Sequence, residues 1–171
     1  MSTLYVNNIS SETGTTITIP TGKKLIVTDA GGFTSPGSVI QVVNQRHTTY
    51  SSTNSNTYSN TGIQVSITPK FATSKILILV QYAGGNTSDY TENSLRIMRD
   101  ATELTTSERF VRGPSGTEIV GFLQYYDSPS TTSSTSYSVQ YKTSGGDFRI
   151  NDYTDGTNSS YSGITLMEIA Q

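Results

Sequence analysis

"SKILILVQY" (residues 74–82) decides the fold. Successive side chains of an extended chain point to opposite faces. Ile76, Ile78 and Val80 therefore share one face, and Leu77 and Leu79 share the other. The run lies between Thr-Ser and Gly-Gly and lacks the i, i+3, i+4 spacing of an amphipathic helix, so it reads as a strand. It is apolar front and back. The same two-sided pattern recurs elsewhere. Val39 and Val43 alternate with Ile40 and Val42, and Val120 and Phe122 alternate with Ile119 and Leu123. Near the end, Ile164 and Leu166 are followed by Met167 and Ile169, a change of phase that predicts a bulge or a second buried face. Two other runs are polar on one side. In "GIQVSIT" (62–68), Ile63, Val65 and Ile67 oppose Gln64, Ser66 and Thr68; in "TSYSVQYK" (135–142), Tyr137, Val139 and Tyr141 oppose Ser136, Ser138 and Gln140. That is the pattern of a sandwich strand with one wet face.

Turn signals separate eight strand candidates: 39–50, 62–68, 74–82, 94–100, 117–127, 135–142, 147–152 and 163–170. Nowhere does a helical period persist over ten residues. Ser and Thr supply roughly a third of the chain, and with Tyr, Val, Ile, Gly and Asn they favour strands and turns. The expected fold is all-β: an antiparallel jelly-roll sandwich of about eight strands, with a short β-rich stalk before it. The long connections, 51–61, 83–93, 105–116, 128–134 and 152–162, read as loops. They are rich in Ser, Thr, Asn and Tyr, a mixture suited to surface recognition.

The domain organisation follows from composition. Residues 1–28 form an anchor or stalk whose apolar dashes recur at Ile9, Ile17 and Leu25, eight residues apart. Such short strands cannot bury their apolar face within one chain and need neighbours. Val6, Ile9, Ile17, Ile19, Leu25 and Val27 are the candidate docking residues. Residues 29–38, "DAGGFTSPGS", read as a linker, and residues 39–171 as the sandwich. With no helix to cover them, strands apolar on both faces are expected to bury one face against copies of the same chain. Ile40, Val42, Leu77, Leu79, Val120, Phe122, Met167 and Ile169 are the candidates for that interface.

Bulk properties narrow the function. The formal net charge is -2, and Lys23-Lys24 is the one adjacent basic pair, so no stripe of cations tracks a nucleic-acid backbone. There is no Cys, which removes disulfides and Cys-based metal sites. No apolar run reaches the roughly 18 residues of a membrane span. "MSTLYVNN" lacks a basic region and an apolar core, so synthesis in a cytoplasm is expected. A catalytic constellation is also missing. His47 is the single histidine, and "GPSG" (113–116) lacks the spacing of a nucleophile elbow. Asp147, Asp152 and Asp155 fail the EF-hand spacing, because Tyr153 and Ser162 stand where ligands belong. "GGFTSPG" (31–37) has neither the Lys-Ser/Thr pair nor the following helix of a phosphate loop. No cofactor or metal is expected, and the chain reads as non-enzymatic.

"TLYVNNISSETGTTITIPTGKKLIV" (3–27) resembles the N-terminal segment of small virion proteins of tailed phages, especially marine ones. "VSITPKFATSKILILV", "FLQYYDSPSTTSSTSYSVQYK" and "ITLMEIAQ" resemble their C-terminal domain. The resemblance implies a virion structural protein: a fibre, tail appendage or head decoration, homotrimeric, with a jelly roll of the C1q/TNF-like kind. It implies a second virion protein as the partner of residues 1–28, and no active-site motif to carry over. Loop tyrosines Tyr58, Tyr90, Tyr153 and Tyr161 are candidates for contact with host-surface glycans. Two other classes compete with this reading, a free-standing carbohydrate-binding module and a depolymerase.

Overall fold

The computed structural model of the chain describes residues 14, 16, 18–28, 32–111, 113–152 and 160–171, with backbone alone at 106–111. Ten strands follow in order: β1 (Val39–His47), β2 (Ser51–Thr53), β3 (Ser59–Ile67), β4 (Lys75–Asn86), β5 (Asn93–Arg99), β6 (Thr102–Val111), β7 (Ile119–Asp127), β8 (Thr135–Thr143), β9 (Phe148–Ile150) and β10 (Ser162–Ile169). No helix occurs among the described residues, so none is long and apolar enough to cross a membrane.

Two antiparallel sheets form a sandwich. The larger runs β1-β10-β4, with β7 on the far side of β4 and the short β9 and β2 extending the β10 and β1 positions; the smaller runs β3-β8-β5-β6. Counting only the eight longer strands, the larger sheet is ordered first, eighth, third, sixth, and the smaller second, seventh, fourth, fifth. This is the jelly-roll order, in which two Greek keys fold a long hairpin over itself.

The core lies between the sheets. Ile76, Ile78, Val80 and Tyr82 of β4 and Ile164 and Leu166 of β10 face Ile63 and Ile67 of β3, Leu95 and Ile97 of β5, and Tyr137, Val139 and Tyr141 of β8. All are essentially inaccessible to solvent. Phe148 closes one end, its ring 5.9 Å from that of Tyr141.

The two kinds of strand in the sequence sort onto the two sheets. β3 and β8, polar on one side, both lie in the smaller sheet; β1, β4, β7 and β10, apolar on both sides, all lie in the larger. The phase change at the end of β10 is not a bulge of that strand. Its burial alternates without a break, and Glu168 occupies an inward position at 0% exposure. Met167 and Ile169 belong to the outward face. The irregularity in that pairing lies in β1, between Val39 and Gln41.

Two expected loops contain strands. β2 lies within 51–61, and β6 covers much of 105–116. Ala83 to Asn86, expected in a loop, continue β4. Conversely, 147–152 yields only the three-residue β9.

Candidate functional site

The outward face of the larger sheet is the most unusual surface of the molecule. The strand register lines up its side chains in rows. Val42, Met167, Leu77 and Tyr126 form one row across β1, β10, β4 and β7. Asn44, Thr165, Leu79 and Gln124 form the next, and Arg46, Gly163, Gln81 and Phe122 the third. Val120 follows Phe122 along β7 and pairs with Ala83. Exposure is high at the sheet margins: 55% for Val42, 55% for Val120, 68% for Phe122 and 50% for Tyr126. Leu77, Leu79, Met167 and Ile169 are half-buried between them. No described element covers this face. The smaller sheet is the contrast, turning Gln64, Ser66, Ser138 and Gln140 outward.

The third row is interrupted. Gly163 has no side chain, and the gap deepens into a depression of about 710 Å³. Leu79 and Thr165 lie beside its floor, Phe122 and Gln124 form one wall, and Arg46 and Tyr161 the other. The Arg46 guanidinium lies 4.2 Å above the Tyr161 ring, a cation–π contact that holds both side chains upright. Asn44 Nδ2 donates to Thr165 Oγ1 at 2.7 Å. The depression therefore offers an aromatic ring on either wall, one cation stacked on Tyr161, and amides and hydroxyls around Leu79.

The structure brings together most of the residues expected at an interface between copies. Val42, Leu77, Leu79, Val120, Phe122, Met167 and Ile169 share the outward face, while Ile40 sits half-buried at the irregularity of β1. Of the docking candidates, Ile19, Leu25 and Val27 are exposed; Val6, Ile9 and Ile17 lie outside the described residues, as does Tyr153 among the loop tyrosines. The other three loop tyrosines are dispersed. Tyr58 lies over the smaller sheet with Arg96 at 4.1 Å and Lys142 at 4.7 Å from its ring. Tyr90 is exposed at a positive φ of 50°. Tyr161 belongs to the depression. Sequence reasoning overlooked Arg46, Gln81, Gln124 and Tyr126. Their signal was phase alone: Gln81 continues the Leu77-Leu79 alternation, and Gln124 and Tyr126 continue that of Val120-Phe122.

The buried acids serve the fold. Asp127 accepts from Arg99 Nη1 at 2.7 Å and from the Tyr137 hydroxyl at 2.7 Å. Burial and the Asp127 carboxylate push the Tyr137 phenol well above its usual range. Glu168 Oε1 accepts from the backbone N–H groups of Lys70 and Phe71, and its Oε2 from Gln41 Nε2 at 2.6 Å. Asp152 accepts from Arg149 at 3.0 Å. His47 sits between the sheets against Gly62, and burial lowers its pKa. Among the described residues no group of three or more His, Asp or Glu could hold a metal ion.

The fold and this face define a class: an antiparallel jelly-roll sandwich whose smaller sheet is polar outside and whose larger sheet carries an uncovered apolar row beside a polar depression. No family model and no curated protein matches the chain. Among solved structures, it is similar to a chain of infectious bursal disease virus Gt strain, with 10% identity and a TM-score of 0.46, covering 86% of this chain and 42% of that one. A chain of the Gx strain gives 10% identity and 0.45, over 75% and 36%. Latent PorU from Porphyromonas gingivalis gives 9% and 0.42, over 84% and 14%. The chain thus spans less than half the length of these neighbours.

Proposed function

We propose that this chain is a non-enzymatic structural protein of a virion, a homotrimeric knob of a short fibre, tail appendage or head decoration. The observation that carries the reading is the uncovered row Val42, Met167, Leu77 and Tyr126, with Phe122 and Val120 beside it. An apolar row that crosses four strands with no cover, beside exposed Phe122 and Val120, is uncommon on a monomer and common where copies meet. Residues 39–171 form the knob, residues 29–38 the linker, and residues 1–28 the anchor toward a second virion protein. The resemblance of 3–27 and of the later blocks to phage virion proteins supplies the setting. Contact of the loop tyrosines with host-surface glycans belongs to the same reading.

Light scattering on the purified full chain tests the assembly. A mass three times that of the 18.5 kDa chain is expected. A monomer at micromolar concentration overturns the reading.

The depression favours a second function, a carbohydrate-binding module. Phe122 and Tyr161 supply aromatic surface, and Asn44, Gln81 and Gln124 supply amides, the mixture that small polar ligands need. Binding on a glycan array by a monomeric chain, lost in Tyr161→Ala, decides for the module.

A further inference from the structure

Arg46 stands apart from the other arginines whose side chains are described. Arg96, Arg99 and Arg149 each hold a carboxylate, on Glu103, Asp127 and Asp152. Arg46 has no such partner among the described residues, and its one contact is the face of Tyr161. Stacking on a ring occupies the flat side of a guanidinium and leaves the N–H donors at its edge free. Arg46 is also the one formally charged residue lining the depression. The site is therefore positive although the whole chain carries a net charge of -2.

The other polar groups there are equally uncommitted. The side-chain amides of Gln81 and Gln124 and the Tyr161 hydroxyl bond to no described residue. Asn44 uses its Nδ2 on Thr165 and the Ile164 carbonyl, which leaves its Oδ1 as an acceptor. The depression thus presents donors and acceptors between two aromatic side chains, within a volume of about 710 Å³. That volume falls in the range of small-ligand sites. The row Val42, Met167, Leu77 and Tyr126 is not part of it, since Met167 lies roughly 13 Å farther along β10 than Gly163.

We infer that the depression binds an acidic oligosaccharide, with a uronate carboxylate on the Arg46 guanidinium. The inference rests on the carbohydrate-binding reading above and names its ligand class. A pyranose has apolar C–H faces and a rim of hydroxyls. The faces suit Tyr161 and Phe122; the rim suits Asn44, Gln81 and Gln124. A carboxylate brings one negative charge in a plane that matches the guanidinium fork. A phosphate ester would bring nearly two against a single cation. Arg46 and Phe122 stand on the outer strands of the row, three strand spacings or roughly 14 Å apart. One ring does not bridge them, so the ligand has more than one sugar.

Calorimetric titration of the full chain tests this. The probes are trimers of galacturonate, glucuronate and mannuronate, each beside the trimer of its neutral hexose, with a sulfated galactose trimer as a further anion. At low salt, one uronate trimer is expected to bind about tenfold more tightly than its neutral counterpart, the worth of a hydrogen bond between charged groups at an open site. The preference should shrink as salt rises. Arg46→Gln should abolish the preference and leave the binding of the neutral trimer in place. Arg46→Lys, which keeps the charge and loses the fork, should recover only part of it. Arg46 is exposed, and far-UV circular dichroism checks that both variants fold. Equal binding of uronate and neutral trimers overturns the inference and leaves the carbohydrate module standing. So does a uronate preference that survives Arg46→Gln, or tighter binding of the sulfated trimer. Binding of none of these sugars overturns the module and the inference together.

Discussion

Gly121 is where β7 makes room for Tyr82. The two residues pair across β4 and β7, and the hydroxyl end of the Tyr82 ring fills the space a side chain at 121 would take. A Cβ at 121 would overlap Tyr82 Oη, Cζ and Cε1. Gly121→Ala is therefore expected to destabilise the sandwich by about 3 kcal/mol, near the upper end of overpacking costs. Urea denaturation of the two chains measures it, and Gly121→Ala combined with Tyr82→Leu should recover part of the loss. His47 offers a second test on a single group. Its ring packs against Gly62, where a Cβ would come within 2.7 Å of Cε1. Burial lowers its pKa below the usual value of about 6.5. The unfolded chain then binds more protons than the folded one as pH falls below 6.5. Its contribution to stability is complete above that pH and is lost on acidification toward the folded pKa. The NMR titration of this single imidazole should have its midpoint below 6.5. The urea midpoint should fall between about pH 7.5 and about pH 5 by more in the natural chain than in His47→Gln. Equal slopes in the two chains would remove His47 from the acid sensitivity.

At the scale of elements, β10 shows how a buried acid can organise its neighbours. Glu168 faces inward and collects the N–H groups of Lys70 and Phe71, at 2.8 and 3.2 Å, together with the Gln41 amide. It thereby ties the β3–β4 connection to β10 and β1. Glu168→Gln replaces an acceptor oxygen with a donor nitrogen that must face donors. Leaving such groups unpaired should cost about 2–3 kcal/mol. Hydrogen exchange at Lys70 and Phe71 should quicken before that of the β4 amides; protection unchanged at both would refute the clamp. The same residue marks the limit of sequence reading in this strand. Alternation identified β10, but a carboxylate at an inward position broke the apolar phase and imitated a bulge. β6 was illegible for a different reason. Among the described side chains of "TELTTSERFV" (102–111), Leu104 packs against the core, and a sequence dominated by Thr, Ser and charge has the composition of a loop. β3, β4 and β8 were legible because each carries an unbroken period-2 row of three apolar residues, and β1, β5, β7 and β10 because short apolar pairs at period 2 lie between turn signals. The outward face was half legible: Leu77, Leu79, Val120 and Phe122 announce it by hydrophobicity. Arg46, Gln81 and Gln124 join it only through register, which depends on pairings between strands far apart in the chain.

At the scale of the whole molecule, the asymmetry between the sheets is the property with consequences. Both sheets close the same core, yet only the larger one carries an exposed apolar row behind. Folding of the subunit does not need Phe122, which is 68% exposed and touches the rim of the depression rather than the core. Association does need it if copies meet on this face, because burying such a side chain stabilises by about 2 kcal/mol per copy. A charge placed there would have to be desolvated without a partner, which adds to the loss. Phe122→Asp should thus shift the full chain from trimer to monomer in sedimentation at micromolar concentration while its far-UV circular dichroism stays unchanged. Gln64→Asp, on the polar outward face of the smaller sheet, should leave the trimer intact. Thermal unfolding separates the two effects further. A trimer's midpoint rises with protein concentration, since association of the folded state is coupled to folding; that dependence should vanish in Phe122→Asp and persist in Gln64→Asp. A Phe122→Asp chain that sediments as the unaltered protein does would show that the copies do not meet on the larger sheet.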